Sequence, residues 1–424
     1  MDTQQENQTE PKPDAPQRRR VHPFAVLQNR DYSLLWAGQA TSQVGTQMRM
    51  VAVNWQVYQL THDPLQLGFI GVCRVVPLIL CSLLGGTVAD ALDRRKLLLV
   101  VESILMASSL ALALVTVTGI VNVWWIYGIT MISSATNAFE RPAYSALVPA
   151  LVPRNQLASA LSLNTLNWQT ATVVGPGLAG LIIAWLGVQG AYWLDSTSYV
   201  AVLAALLLIR YRPDARTGQR ISIGAALEGL RFVWGKKILV SILLLDFFAT
   251  FFASATLLLP IFATDILHTG EVGFGLLSAA EAVGAVAASL VMAWLNPGQM
   301  RHPGIIVLVA VSSFSLFTVL FGFSTSLPLS LLFLALIGAS DTVSMVLRQT
   351  ISQLVTPDEM RGRMQSVNMI FFAGGPQLGE LEAGVVAKLA GGPISVISGG
   401  LACLLVVLVV SVASPTLRHY QFEE

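Results

Sequence analysis

The chain is 424 residues long, 54% hydrophobic and 12% charged, with a mean hydropathy of +0.66 and a formal net charge of +1. Soluble globular proteins carry about twice that charged fraction, so the composition excludes a soluble domain and is that of an integral membrane protein. Nucleic acid is excluded as a partner too, because phosphate backbones are bound by a large, clustered positive excess.

Residues 1–22 are rich in Gln, Glu and Pro and end in the basic stretch QRRRVH. No apolar run precedes a small-residue cleavage site, which predicts a disordered cytoplasmic tail (1–30) rather than a signal peptide. Gly, Pro and charge clusters then divide the chain into twelve apolar stretches, near 33–60, 65–89, 97–118, 123–148, 156–186, 190–210, 238–266, 271–295, 303–323, 328–353, 362–388 and 392–413. Crossing about 30 Å of hydrocarbon takes roughly 20 helical residues, so each stretch is a predicted span of an all-α membrane protein. The cysteines, Cys73, Cys81 and Cys403, lie inside apolar runs without ligand spacing and read as small packing residues.

Positive charge predicts the orientation, because Lys and Arg near span ends stay on the cytoplasmic side. Arg30 precedes span 1, Arg94, Arg95 and Lys96 follow span 2, Arg154 follows span 4, and Arg210, Arg212, Arg216, Arg220, Lys236 and Lys237 separate spans 6 and 7. The opposite connections THDP, TGIVN, GVQG, HTGE, STSLP and AGGP contain no Lys or Arg. Both termini are therefore expected in the cytoplasm, with Trp124, Trp125, Trp185 and Trp193 forming an outer aromatic belt.

The longest polar connection, 211–237, places Ile223, Ala226, Leu227, Leu230, Val233 and Trp234 at helical spacing, which predicts an amphipathic helix on the inner leaflet. It separates an expected six-helix bundle at 31–210 from a second at 238–413, followed by a tail at 414–424. Thr46 and Thr250, Pro153 and Pro357, Ser162 and Ser366, Asn164 and Asn368, and Gly180 and Gly384 all lie 204 positions apart. Such a duplication points to a transporter with its site between the halves near mid-membrane.

After span 2 the sequence GTVADALDRRK (86–96) resembles the loop 2–3 signature of the major facilitator superfamily, with Ala91 and Asp93 where Arg and Gly are usual. That resemblance implies twelve transmembrane helices in two pseudo-symmetric six-helix bundles. It also implies a cytoplasmic latch in which Gly86 and Asp90 meet the start of span 11, with Arg94 and Arg95 adding bonds. The stretches NAFERPAYSALVPALVPRNQLASALSLN and GFGLLSAAEAVGA are similar to the exporter branch that includes the enterobactin exporter and macrolide efflux proteins. GPGLAG (175–180), with Gly175, Pro176 and Gly180, resembles the antiporter signature of drug–proton exchangers and so implies proton exchange. A Gly/Pro cluster equally bends a helix and admits close packing.

An ionisable side chain at bilayer depth is costly unless it faces a partner or water. Arg49, Arg74, Asp246, Glu281, Asp341, Glu380 and Glu382 are mid-span by this reading, with Glu140, Arg141 and Arg348 nearer the cytoplasmic ends of spans 4 and 10. In span 1, Gln39, Ser42, Gln43, Thr46, Arg49, Asn54 and Gln56 share one side and are expected to line a watery cavity. Asp246 and Thr250 in span 7, Asn137 in span 4 and Asp341 in span 10 would complete the ring. Asp246, Glu281 and Asp341 are the candidates for carrying a proton, or else form structural ion pairs with Arg49, Arg74 or Arg141. Arg49 and Arg74 could instead bind an anionic substrate.

No phosphate-binding G-x-x-x-x-G-K-[ST] loop, H-E-x-x-H or G-x-S-x-G is present. The expected protein is thus no enzyme, with no metal or cofactor, driven by a gradient. The leading expectation is a monomeric exporter of amphipathic small molecules by proton antiport in a bacterial inner membrane, the alternative being a facilitator, importer or lipid transporter of the same fold.

Overall fold

A computed structural model describes residues 23–91, 93–153, 156–210, 231–252, 255–295, 300–357 and 360–421, with the side chains of 23–24, 82–91, 146, 158, 255, 361–363 and 365–373 outside the description. Long helices follow one another: α1 (Arg30–Thr61), α2 (Pro64–Ala91), α3 (Arg94–Val117), α4 (Val123–Leu151), α5 (Leu157–Leu208), α6 (Lys237–Phe252), α7 (Gly270–Leu295), α8 (Pro303–Gly322), α9 (Leu327–Val355), α10 (Arg361–Ala390) and α11 (Gly392–Ala413).

Local chemistry sets their ends. Asp93 caps α3 by accepting from the backbone N–H of Arg95 at 3.0 Å and Lys96 at 3.4 Å, and Asn122 caps α4 through the Trp125 N–H at 3.1 Å. Gly391, at φ 95°, separates α10 from α11, a left-handed turn that suits glycine.

Spans 5 and 6, expected at 156–186 and 190–210, are the two arms of α5, a first (157–186) and a second (188–208), separated at Gly187, whose φ 72° and ψ 177° are not helical. The predicted span at 238–266 corresponds to one apolar stretch, Lys237–Ile266, whose described residues include α6, a 3-10 turn, Ala255–Leu258, and a π-helical turn, Phe262–Ile266. Most of the predicted linker helix, 211–230, lies outside the described residues.

Among the described residues, eight stretches are long and apolar enough to cross a membrane, and Ser159–Leu208, at 50 residues, has the length to cross twice. Trp124, Trp185 and Trp294 are largely exposed on this surface. Within the first half α1 packs along both arms of α5, α3 on α5 and α4, and α2 on α4. In the second, α7 and α8 pack on α9, α11 packs on α8, and α10 packs on α6 and α11. The halves meet through α2 against α10 and through α5 against α7. This is the all-helical, two-bundle architecture of the major facilitator fold.

Both joints use small residues to bring main chains together. A Cβ on Gly180 would lie 2.2 Å from Gly275 Cα, and one on Gly384 would lie 2.8 Å from Gly68 Cα. Gly180 and Gly384, spaced by 204, each sit in one of these two joints.

Candidate functional site

The helix ends define a basic end, where α1 and α3 begin at Arg30 and Arg94, and an opposite end marked by the turns at His62, Gly119, Gly270 and Gly391. Toward the opposite end, polar links join the halves. Lys388 Nζ donates to Asp63 Oδ2 at 3.0 Å, Arg74 pairs with Glu380 at 3.0 Å, Gln59 donates to Glu271 at 3.2 Å and Tyr58 donates to Asp265. The rings of Trp55 and Phe274 stack across the same joint with centroids 4.5 Å apart. Arg74 also donates to Asn54 at 3.1 Å, so this expected substrate ligand is a clasp between α1, α2 and α10.

The second half holds an acidic group within its long helices. Asp246 on α6 lies 2.7 Å from the Arg348 guanidinium on α9, which is 3.8 Å from Asp341, two helical turns earlier on its own helix. Glu281 on α7 accepts from Thr256 at 3.3 Å and is an electrostatic neighbour of Asp341. The crossing of α7 and α9 explains this proximity. Gly338 rests on the Glu281 backbone and Gly284 on that of Ala335, with no side chains to hold the helices apart.

These acids differ in access. The Asp341 side chain is 48% exposed although it sits halfway along α9, whereas Asp246 is 14% and Arg348 7% exposed. The arginine expected to pair with them was Arg49, Arg74 or Arg141, but the partner is Arg348, which belongs to the same half.

The polar side of α1 behaves differently from expectation. Arg49 is 5% exposed, lies 3.2 Å from Asp195 on the second arm of α5 and donates to Ser133 on α4 at 3.1 Å. Gln39 donates to Glu140 at 2.8 Å, Thr46 bonds Tyr199 at 2.8 Å, and Gln56 donates to Thr116 at 2.9 Å. Most of the stripe is thus hydrogen-bonded inside its own bundle rather than lining a watery space. Helical periodicity identifies a face that lipid cannot cover, but protein partners satisfy that condition as well as water does.

The remaining candidates scatter. Gln43 and Asn137 are half-buried, and Arg141 is exposed with its guanidinium 5.8 Å from the Trp168 ring centre. Thr250 folds its hydroxyl back on the carbonyls of Asp246 and Phe247. Gly175 packs on Gln47 of α1, Gly180 on the other half, and Pro176 lies between them inside α5. Arg95 donates to the carbonyls of Leu206 and Leu207 at 2.6 and 3.0 Å, so it binds the end of α5 within its own half rather than reaching toward α10. Arg94 opens α3, while the side chain of Asp90 and the surroundings of Gly86 lie outside the described residues.

Asp195 and Glu102 were not among the sequence candidates, yet both are fully buried. The depth rule that selected Arg49 reaches them too, since each lies about five residues inside a predicted span.

Known proteins similar to this chain are transporters. The multidrug efflux pump Tap of Mycolicibacterium fortuitum is 27% identical over 396 residues, covering 89% of this chain and 94% of Tap. The enterobactin exporter EntS of Escherichia coli K12 is 25% identical over 375 residues, 88% of each chain. Among solved structures, a bacterial homologue of the human lysosomal transporter Spinster, in an inward-facing and unoccupied conformation, superposes with a TM-score of 0.68 at 13% identity, over 92% of this chain and 96% of that one. A POT family transporter in complex with 5-aminolevulinic acid gives 0.71 at 12% identity, over the same shares. The family model for transmembrane secretion effectors matches residues 21–421. Those matches and the two-bundle architecture identify the chain as a member of the transmembrane secretion effector family of major facilitator transporters.

Proposed function

We propose that the protein is a secondary exporter that moves amphipathic small molecules out of a bacterial cell by proton antiport. The basic end faces the cytoplasm, as the distribution of Lys and Arg favours, and the halves 31–210 and 238–413 rock against each other as a monomer. The observation that carries the reading is Asp341, an acid halfway along its helix whose side chain is 48% exposed beside a buried Asp246–Arg348 pair. An acid so placed can exchange protons with water while its charge is felt by a pair that water reaches poorly.

Links at the opposite end, Lys388–Asp63 and Arg74–Glu380, then close the outer side in the conformation described. Alternating access requires these to part while the basic end shuts. Export as the direction is supported by the efflux relatives, and an apolar part of the substrate suits the aromatic run Phe247, Phe248, Phe251 and Phe252 on α6.

The test is transport by the purified protein in liposomes, using dyes, macrolides and catecholate siderophores at two pH values. Uphill movement that collapses with the proton gradient is expected. Flux that ignores the gradient would make the protein a facilitator and overturn antiport.

A further inference from the structure

Glu102 occupies α3 about 12 Å from its basic end, at 1.5 Å per residue. It is 0% exposed, and neither carboxyl oxygen has a hydrogen-bond partner among the described residues. Beside it lies the Gln39 amide of α1, whose nitrogen donates to Glu140 of α4 at 2.8 Å while its buried oxygen accepts no hydrogen bond. An ionised carboxylate accepts only, so an ionised Glu102 would leave both of its buried oxygens, and the charge on them, unsatisfied among the described residues.

Charge leads to the same assignment. The groups facing Glu102 are Glu140 and Tyr144 from α4 and Asp195 and Tyr199 from α5; on α2, Asp90 falls outside the described side chains. Arg49 is paired with Asp195, which also accepts from Ser109 at 2.7 Å, and Arg141 is the charge next to Glu140. Among the described residues, two guanidinium groups thus face three carboxyl groups, and that group is neutral when one carboxyl is protonated. Since Arg49 and Arg141 already have carboxylate neighbours, that carboxyl is Glu102. A buried carboxylate without a partner neutralises itself in this way because desolvating its charge costs more than taking up a proton.

We propose that Glu102, Gln39 and Glu140 form a proton-binding site in the first half of the protein, separate from the Asp246–Asp341 group, with the proton resident on Glu102. Half-buried Glu140 gives the site its route to solvent. A proton from water forms an O–H bond at a Glu102 oxygen and leaves to water by the reverse step, with no other reactant. The site goes beyond the antiport reading and does not depend on it.

The test is the infrared spectrum of the resting wild-type protein in lipid at neutral pH, with no gradient and no substrate, minus that of Glu102→Gln. Loss of one protonated-carboxyl C=O band, which shifts in D2O and persists in Glu140→Gln, is the expected result. A spectrum with no such band lost overturns the proposal. Should Glu102→Gln fail to fold, Glu102→Asp decides: a displaced band supports the site and an unmoved one overturns it. Because nothing is transported, the result is independent of whether the protein is an antiporter.

Discussion

Arg74 of α2 and Glu380 of α10, 306 positions apart in the chain, form an ion pair of 3.0 Å that ties one half of the protein to the other. Both side chains are mostly buried, at 11% and 16% exposure, so the pair is little screened by salt. Glu380→Gln is expected to loosen the closed end, measured as faster maleimide labelling from the outer side of a single cysteine introduced at Gln377. Exchanging the charges, Arg74→Glu with Glu380→Arg, should return labelling toward the wild-type rate.

The glycine contact between α5 and α7 gives a sharper steric test. Gly180→Val would drive a side chain into the Gly275 backbone, which has no flexible end to move aside. Closure at that end should fail, and transport should drop at least tenfold, which corresponds to about 1.4 kcal/mol on the transport barrier. Gly177→Ala, whose new methyl would meet Ala279 at 3.5 Å, should leave transport unchanged. Flux measured for the two variants in parallel separates crowding at the joint from a general intolerance of α5 to substitution.

Asp246 and Asp341 share Arg348 but should respond differently to neutralisation. Asp246→Asn leaves a 7%-exposed guanidinium without its nearest partner. The expected cost is on the order of 2 kcal/mol, below the 3–5 kcal/mol of breaking a fully buried pair, because Asp341 at 3.8 Å compensates in part. Asp341→Asn should leave thermal stability near wild type while abolishing uphill export and sparing substrate exchange. Thermal unfolding and flux on the same preparations check both halves of this expectation.

Arg49 and Asp195 form the most deeply buried ion pair described, at 6% and 0% side-chain exposure. Asp195→Ala should cost about 3–5 kcal/mol and reduce the folded yield, because it strands a charge inside the bundle. The double variant Arg49→Met with Asp195→Leu removes both charges and should recover most of that loss. Size-exclusion profiles and unfolding temperatures of the single and double variants measure the coupling.

Helix positions were legible from the sequence wherever Gly, Pro or charge stands at a membrane surface: 303–323 was expected for Pro303–Gly322, and 392–413 for Gly392–Ala413. The break between spans 5 and 6 was legible too, at GVQG (187–190), where the chain turns at Gly187. Polar residues at depth were also legible as a class, but their partners were not. Arg49 and Arg348 each find an acid in their own half, a choice set by helix crossings such as Gly338 on Glu281 that no local pattern encodes. Glu102 escaped notice because its neighbours, VVESILM, read as ordinary span and a lone acid there shows no periodic companion.

The bare backbones that meet at Gly180–Gly275 and Gly68–Gly384 have a consequence for how such a machine moves. Surfaces without interdigitating knobs can slide or peel apart without first disengaging side chains, so resistance to parting concentrates in a few discrete charge contacts around them. A seam built this way works like smooth plates held by clips, and substitutions at the clips are the ones expected to reset how readily it opens.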